Sequence, residues 1–382
     1  MNFRLTDDQV SFQELAKDFA EKEIAPRAAD LDATSEYPQD IFDKMAGLGF
    51  NGLCTPEEYG GCGGGDIEKA LVIEEFAKKD ASLAGIYAIQ FGCAAFLNNW
   101  GTEEQKKKYL PELASGALGA FAMTEPNAGS DAAAARTTAI LDEATGEYVI
   151  NGTKCFITGG SRAQYIALIA MTQPEKGTKG MSAILIDTAK VLGKGFSIGK
   201  IEHKMGLHAS ETAELIFEDC RVPKENLIGQ EGKGFSYAMK VLDGSRIACG
   251  AQAVGLAEGA LELAVKYSKE RVQFGKPISA NQGIQWYLAD MATRIDAAKW
   301  MTYHAAWLKS SGQPHSKEAA MAKLFSSETA RYVTNLALQI HGGYGYMEEY
   351  PLARMYRDAK ILEIYIGTSE VQKMVISRAV LA

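Results

Sequence analysis

Short β-like runs crowd into one central stretch of this chain, and helical periodicity fills the sequence on both sides of it. That order constrains the fold most, because a sheet and two helical segments must each bury an apolar face against a neighbour. On the N-terminal side, Thr6-Asp-Asp-Gln9 has the form of a capping box. Phe12, Leu15, Ala16, Phe19 and Ala20 then recur at helical spacing, and residues 39–49 and 66–79 repeat the pattern. Between those two runs, Gly60-Gly-Cys-Gly-Gly-Gly65 is as glycine-rich as a phosphate loop, but no Gly-Lys-Ser/Thr follows. It predicts a flexible connector. From about residue 119 the texture changes. Tyr148-Val-Ile-Asn151-Gly152-Thr-Lys-Cys-Phe-Ile-Thr158 predicts a hairpin turning at Asn-Gly. Tyr165–Met171, Ser182–Ile186 and Thr212–Phe217 predict further strands. After Pro223 and a glycine loop at 229–234, amphipathic helical patterning returns over 235–270, 283–311, 316–340 and 368–381. The expected class is α+β, mainly α: a helical domain over 1–118, a central β domain over 119–225, and a C-terminal helical bundle over 226–382.

Composition excludes several function classes. A net charge of -8 argues against a nucleic-acid binder. The opening Met-Asn-Phe-Arg-Leu-Thr-Asp-Asp carries acids where a secretory signal carries a basic region and then an apolar run. No stretch approaches 18 uninterrupted apolar residues, so no membrane span is expected. The cysteines are scattered without a CxxC pair, which predicts reduced thiols in a cytoplasmic protein. The histidines show no metal-ligand spacing.

Five motifs remain. Phe121-Ala-Met123-Thr124-Glu-Pro-Asn-Ala-Gly129-Ser130-Asp131 reads by itself as a strand end and a capped turn. Cys155-Phe156-Ile-Thr158-Gly159-Gly160 reads as the end of a strand. Glu270-Arg271-Val-Gln273-Phe274-Gly275-Lys276 with Asn281-Gln282 reads as a solvated charged loop, and Gln339-Ile-His341-Gly342-Gly343 as a helix end. Leu242-Asp243-Gly244-Ser245-Arg246 lies on a long helix. Near the C-terminus stands Tyr365-Ile366-Gly367-Thr368-Ser369-Glu370. Taken together, in this order and over essentially the whole chain, these motifs resemble the acyl-CoA dehydrogenase flavoproteins.

The resemblance implies the acyl-CoA dehydrogenase fold, one FAD per subunit, a CoA thioester substrate, electron-transferring flavoprotein as redox partner, and a homotetramer. It places Phe121, Met123, Thr124 and Gly129 against the flavin ring, where fixed donors stabilise developing charge. Ser130 is carried over as a contact to cofactor and to CoA. Phe156 packs on the ring and Thr158 lies near its N5 edge. Arg271 reaches the FAD pyrophosphate of a neighbouring subunit, as suits a planar guanidinium fork. Gln273, Phe274 and Gln282 complete that wall, and Gln339, Gly342 and Gly343 face the ADP portion. Thr368 and Glu370 are counted with the cofactor contacts. Asp243, Arg246, Tyr365 and Gly367 are carried over as substrate contacts.

One position departs from the family. Its usual catalytic base is a glutamate between the residues matching Tyr365 and Gly367; here that residue is Ile366, which carries no proton. Some branches move the base to the position of Ser245, and that carboxylate is absent too. The base is thus unknown, with Tyr87 the nearest protic candidate in the segment that lines the acyl pocket of relatives. Three functional readings follow. The first is an FAD-dependent acyl-CoA oxidoreductase of atypical regiochemistry, acting at the γ-carbon or by 1,4-dehydrogenation on an alicyclic or unsaturated acyl-CoA. The second is a 2,3-dehydrogenase or enoyl-CoA reductase with its base removed or relocated. The third is a non-redox lyase or desulfinase that keeps FAD as scaffold.

Overall fold

A computed structural model describes residues 4–382. Six helices come first: α1 (Asp7–Phe19), α2 (Ala28–Thr34), α3 (Gln39–Gly47), α4 (Asp66–Lys79), α5 (Ala81–Trp100) and α6 (Glu103–Ala114). The Thr6 capping box forms, with the hydroxyl accepting from Gln9 N at 3.2 Å. Asp80 caps α5 by accepting from Leu83 N at 2.9 Å.

Strands β1 (Gly119–Ala122), β2 (Thr138–Asp142), β3 (Glu147–Thr158), β4 (Tyr165–Met171) and β5 (Met181–Asp187) follow. After a one-turn α7 (Thr188–Val191) come β6 (Phe196–Ile201), β7 (Thr212–Pro223) and β8 (Leu227–Ile228). They build one sheet of order β6-β7-β3-β2-β4-β5-β8, with β1 parallel to β4. The predicted hairpin at Asn151-Gly152 does not form. Residues 147–158 are one continuous strand, and the turn that joins β2 to β3 lies upstream at Gly146, whose φ is +71°. Gly152 instead sits in a register shift against β7, with φ +144°. A β-carbon there would stand 2.6 Å from Thr137 Oγ1, so the glycine serves close approach rather than a turn. The glycine-rich connector is also more ordered than expected. Its amides at Cys62, Gly63 and Gly64 donate to Gly52, Thr55 and Leu53 carbonyls at 2.7–3.0 Å.

The C-terminal half holds α8 (Gly234–Glu270), the short pair β9 (Val272–Gln273) and β10 (Lys276–Pro277), then α9 (Gln282–Ser310), α10 (Ser316–His341), α11 (Pro351–Ile361) and α12 (Ser369–Leu381). The helix expected over 235–270 forms as α8, and it is more enclosed than a helix with one apolar face. It is buried along most of its length among α4, α5, α9 and α10. Small residues permit this: a β-carbon at Gly255 or Gly259 would lie 2.2 and 2.4 Å from the Glu74 and Lys78 carbonyl oxygens. By length and composition α5 and α8 could each cross a bilayer, yet both run through the protein interior.

Candidate active site

The described residues with positive φ include six that are not glycine, and three of them are motif residues: Phe156 (+57°), Phe274 (+51°) and Ile366 (+57°). Bulky or β-branched side chains rarely adopt this region, so the positions point to function rather than to chain packing. Phe156 arises from a bulge. Between the pairs Lys154↔Leu215 and Ile157↔Ala213, two β3 residues oppose one on β7. The extra residue is thrown outward, leaving the Phe156 ring 63% exposed.

A buried ion pair sets the segment beside it. Lys154, with no exposure, donates to Met123 O at 3.1 Å and to Glu125 at 2.7 Å. Glu125 also accepts from Arg136 N and Thr137 N at 2.7 and 2.9 Å. Burial opposes its ionisation, but Lys154 and these bonds hold it below the usual carboxylate range. Cys155 N donates to Thr124 O at 2.9 Å. Thus Met123 and Thr124 lie beside the bulge that projects Phe156, while Gly129 and Ser130 continue into an exposed loop. Phe121, on β1, packs its ring 5.1 Å from Phe96, and Thr158 ends β3 half-buried.

A separate cavity of about 570 Å³ brings together Arg271, Gln273, Gly342 and Gly343, from the two motifs that read as matching pieces. Arg271 lies over the Tyr344 ring at 5.6 Å. Nothing that lines this cavity comes from the Phe156 or Met123 segments. Phe274, Gln282 and Gln339 are exposed around it, Phe274 almost entirely. His341 is stacked on Tyr267 at 4.1 Å and bonded to Ala337 O at 2.9 Å, a structural histidine.

A second cleft, of about 770 Å³, runs between α5 and α8. Asp243 and Ser245 line it from α8; Ala88, Phe91 and Gly92 line it from α5. Asp243 pairs with Arg246 and accepts from Ser316 Oγ at 3.0 Å. Ser245 Oγ donates to Val241 O at 3.1 Å, a helix-surface bond with no activating base. Tyr87 does not line the cleft. It is fully buried among Phe50, Phe76 and Phe91, its hydroxyl donating to Phe50 O at 3.2 Å. Burial pushes its pKa well above the ordinary value, so it is no proton acceptor, and the candidacy expected from sequence is withdrawn.

An ionic wall in this cleft has no local signature in the sequence. Asp66 bonds Lys69 at 2.5 Å and Lys309 at 2.7 and 2.8 Å, and Lys69 lies over the Phe91 ring at 5.7 Å. Asp66 and Lys69 stand three apart at a helix start, and only the fold brings Lys309 to them.

The C-terminal motif leaves α11 through a tight loop. Tyr365 hydroxyl donates to Gln252 Oε1, and Gln252 in turn donates to Ala81 O at 2.7 Å. Thr368 caps α12, accepting from Val371 N at 3.3 Å, and Glu370 is exposed in its first turn. Ile366 is half-buried beside the apolar cluster of α8, α10 and α11.

An exposed aromatic bound to a strained bulge, adjacent main-chain groups, and a guanidinium beside a glycine loop suit a flavin dinucleotide with an apolar ring and a diphosphate. Comparison with known proteins agrees. Family models for the acyl-CoA dehydrogenase N-terminal, middle and C-terminal domains match residues 6–117, 120–220 and 232–381. The chain belongs to the acyl-CoA dehydrogenase family, whose cofactor is FAD, and is an oxidoreductase acting on CH–CH groups of acyl-CoA. Acryloyl-CoA reductase (NADH) of Anaerotignum propionicum is 58% identical over all of this chain and 96% of its own length. Butyryl-CoA dehydrogenase from Megasphaera elsdenii superposes with TM-score 0.97 at 47% identity, each chain fully covered. A chain from an electron-transferring flavoprotein structure of Acidaminococcus fermentans gives TM-score 0.97 at 50% identity, again over both full lengths.

Proposed function

We propose that this protein is a cytoplasmic FAD-dependent reductase of short 2-enoyl-CoA thioesters, a homotetramer that takes its electrons from electron-transferring flavoprotein. The observation that carries this reading is Ile366: the loop that holds the family's base is present and left-handed, with an alkyl side chain on it. Bound FAD supplies hydride exchange at its ring. The chain's own contribution concerns the proton. Loss of a base slows both directions alike, since they share a transition state, by about 10²–10⁴-fold. Reduction of a conjugated thioester tolerates that loss better, because it starts with a large driving force and ends on a carbon that water can protonate. Oxidation would have to give up the α-proton with Ile366, and no carboxylate, at the position of the base. The relative named acryloyl-CoA reductase supports the reductive direction and a short acyl group. The γ-proton reading keeps its unsaturated substrate class but loses its acceptor, since Tyr87 is buried and hydrogen-bonded.

In this reading Phe156, Thr158, Phe121, Met123, Thr124, Gly129 and Ser130 face the flavin ring and the CoA entrance. Arg271, Gln273, Phe274 and Gln282, with Gln339, Gly342 and Gly343, hold the diphosphate and ADP end of a neighbour's FAD. Thr368 and Glu370 border the cofactor, Asp243 and Arg246 hold CoA, and Tyr365, Ile366 and Gly367 meet the thioester. The test is stopped-flow absorbance of the anaerobic FAD-loaded protein. Photoreduced protein should be reoxidised rapidly by acryloyl-CoA or crotonyl-CoA, and oxidised protein should bleach only slowly with propionyl-CoA or butyryl-CoA. Fast bleaching by the saturated thioesters overturns the reading.

A further inference from the structure

Lys323 lies on α10 with no exposure at all. Its one hydrogen bond goes to Gly367 O, at 2.8 Å. Among the described residues no carboxylate comes within ion-pair distance of it. A buried ammonium without a counter-ion is costly, and replacing one with an apolar side chain is commonly neutral or stabilising. The fold therefore keeps Lys323 for something other than stability. Gln372, equally buried, donates to the same carbonyl at 2.8 Å and to Ile366 O at 3.2 Å. Both carbonyls of the loop are thus drawn inward.

Peptide planarity turns this into a statement about donors. Every peptide here is trans, so each N–H points away from the carbonyl of its own plane. With Ile366 O and Gly367 O held inward, the amides of Gly367 and Thr368 face the other way. Among the described residues, nothing accepts from the backbone N–H groups of Ile366, Gly367 or Thr368. Positive φ at Ile366 (+57°) and Gly367 (+87°) places both residues in the left-handed region, where successive N–H groups point to the same side of the loop. A β-branched residue holds that conformation only when its surroundings over-determine it.

We propose that Lys323 is a positioning residue: with Gln372 it pins the Ile366–Gly367 carbonyls so that the loop amides stay presented to the thioester carbonyl oxygen of the substrate. This rests on the placement of the thioester at Tyr365–Gly367 given above. It also accounts for a loop that retains its strained shape after its carboxylate is gone, because the backbone still performs polarisation.

The test compares butyryl-CoA with S-butyl-CoA, a thioether of the same length without the carbonyl, by calorimetric titration of the FAD-loaded protein. Wild type should prefer the thioester by about tenfold or more, the scale of one well-placed hydrogen bond. Lys323→Met should bring that ratio close to one, leave thioether affinity unchanged, lower kcat for crotonyl-CoA with little change in KM, and keep or raise Tm. A generally damaged fold would weaken both ligands and lower Tm. Should Lys323→Met fail to fold, Lys323→Gln, neutral and shorter, must still reduce the ratio several-fold. An undiminished ratio in either folded variant overturns the role of Lys323. A wild-type ratio near one overturns the thioester placement itself, and this proposal with it.

Discussion

Ile366 makes a residue-scale prediction that is independent of Lys323. Ile366→Glu should raise bleaching by butyryl-CoA, by up to about 10²–10⁴-fold, because a carboxylate would stand where the family holds its base. The neighbouring apolar cluster disfavours a charged carboxylate, so the gain should grow toward alkaline pH. A folded variant that binds FAD and acyl-CoA yet never bleaches faster shows that position 366 is not the base site. A second prediction concerns Asp358. It is fully buried, accepts from Leu207 N at 2.6 Å, and faces Asp80, Asp32 and Arg354. Burial, reinforced by Asp80, lifts its pKa to about 7. The folded protein then holds this proton more tightly than the unfolded chain, whose aspartates titrate near ~3.9. The stabilisation is present below that value and lost as pH rises to 7. Asp358→Asn, which keeps the acceptor for Leu207, should flatten this part of the stability profile; urea melts at pH 5 and pH 8 check it.

At the scale of elements, the helix–sheet–helix order and the separate motif segments were legible because each rests on local periodicity or a local string. The misreadings share one cause. Asn151-Gly152 looks the same in a tight turn and in a bulge; what decides is Thr137 on a neighbouring strand segment, which leaves no room for a β-carbon. The apolar run of α8 looks amphipathic until four other helices surround it. Lys154, Lys309 and Lys323 carry no signal either, since their partners lie 29, 243 and 44 residues away. Gly152→Ala should therefore destabilise the sheet by about 1–3 kcal/mol, through overpacking and unfavourable φ, as read from Cm in urea with unchanged m. Arg271→Ala should leave Tm of the FAD-free protein unchanged and weaken FAD retention by about 1.5–3 kcal/mol. Equal FAD affinity in the two proteins removes Arg271 from the phosphate site.

For the whole molecule, what one chain exposes is as informative as what it buries. Phe274 is 99% exposed at positive φ, and Trp286 and Trp307, 21 residues apart on one face of α9, are 62% and 48% exposed. A lone subunit would leave these rings in water. In the function proposed above a neighbour completes the cavity of Arg271 and Gly342, which makes FAD binding and assembly linked equilibria. Light scattering should show a tetramer, and Phe274→Ala should make both mass and bound flavin fall on dilution, in step. Loss of flavin from an intact tetramer would separate the two.

The bulge that carries Phe156 has one more implication. Lys154 and Ile157 pair with Leu215 and Ala213, so one residue in place of the two between them would restore an even count against β7. The strand can therefore gain or lose its protruding ring by a single-codon insertion or deletion, without resetting the ladder on either side. Removing codon 156 should give a chain that folds and melts normally but is colourless. In such a sheet the protruding ring is a detachable fitting, and the length of one strand is itself a heritable switch that presents it or removes it.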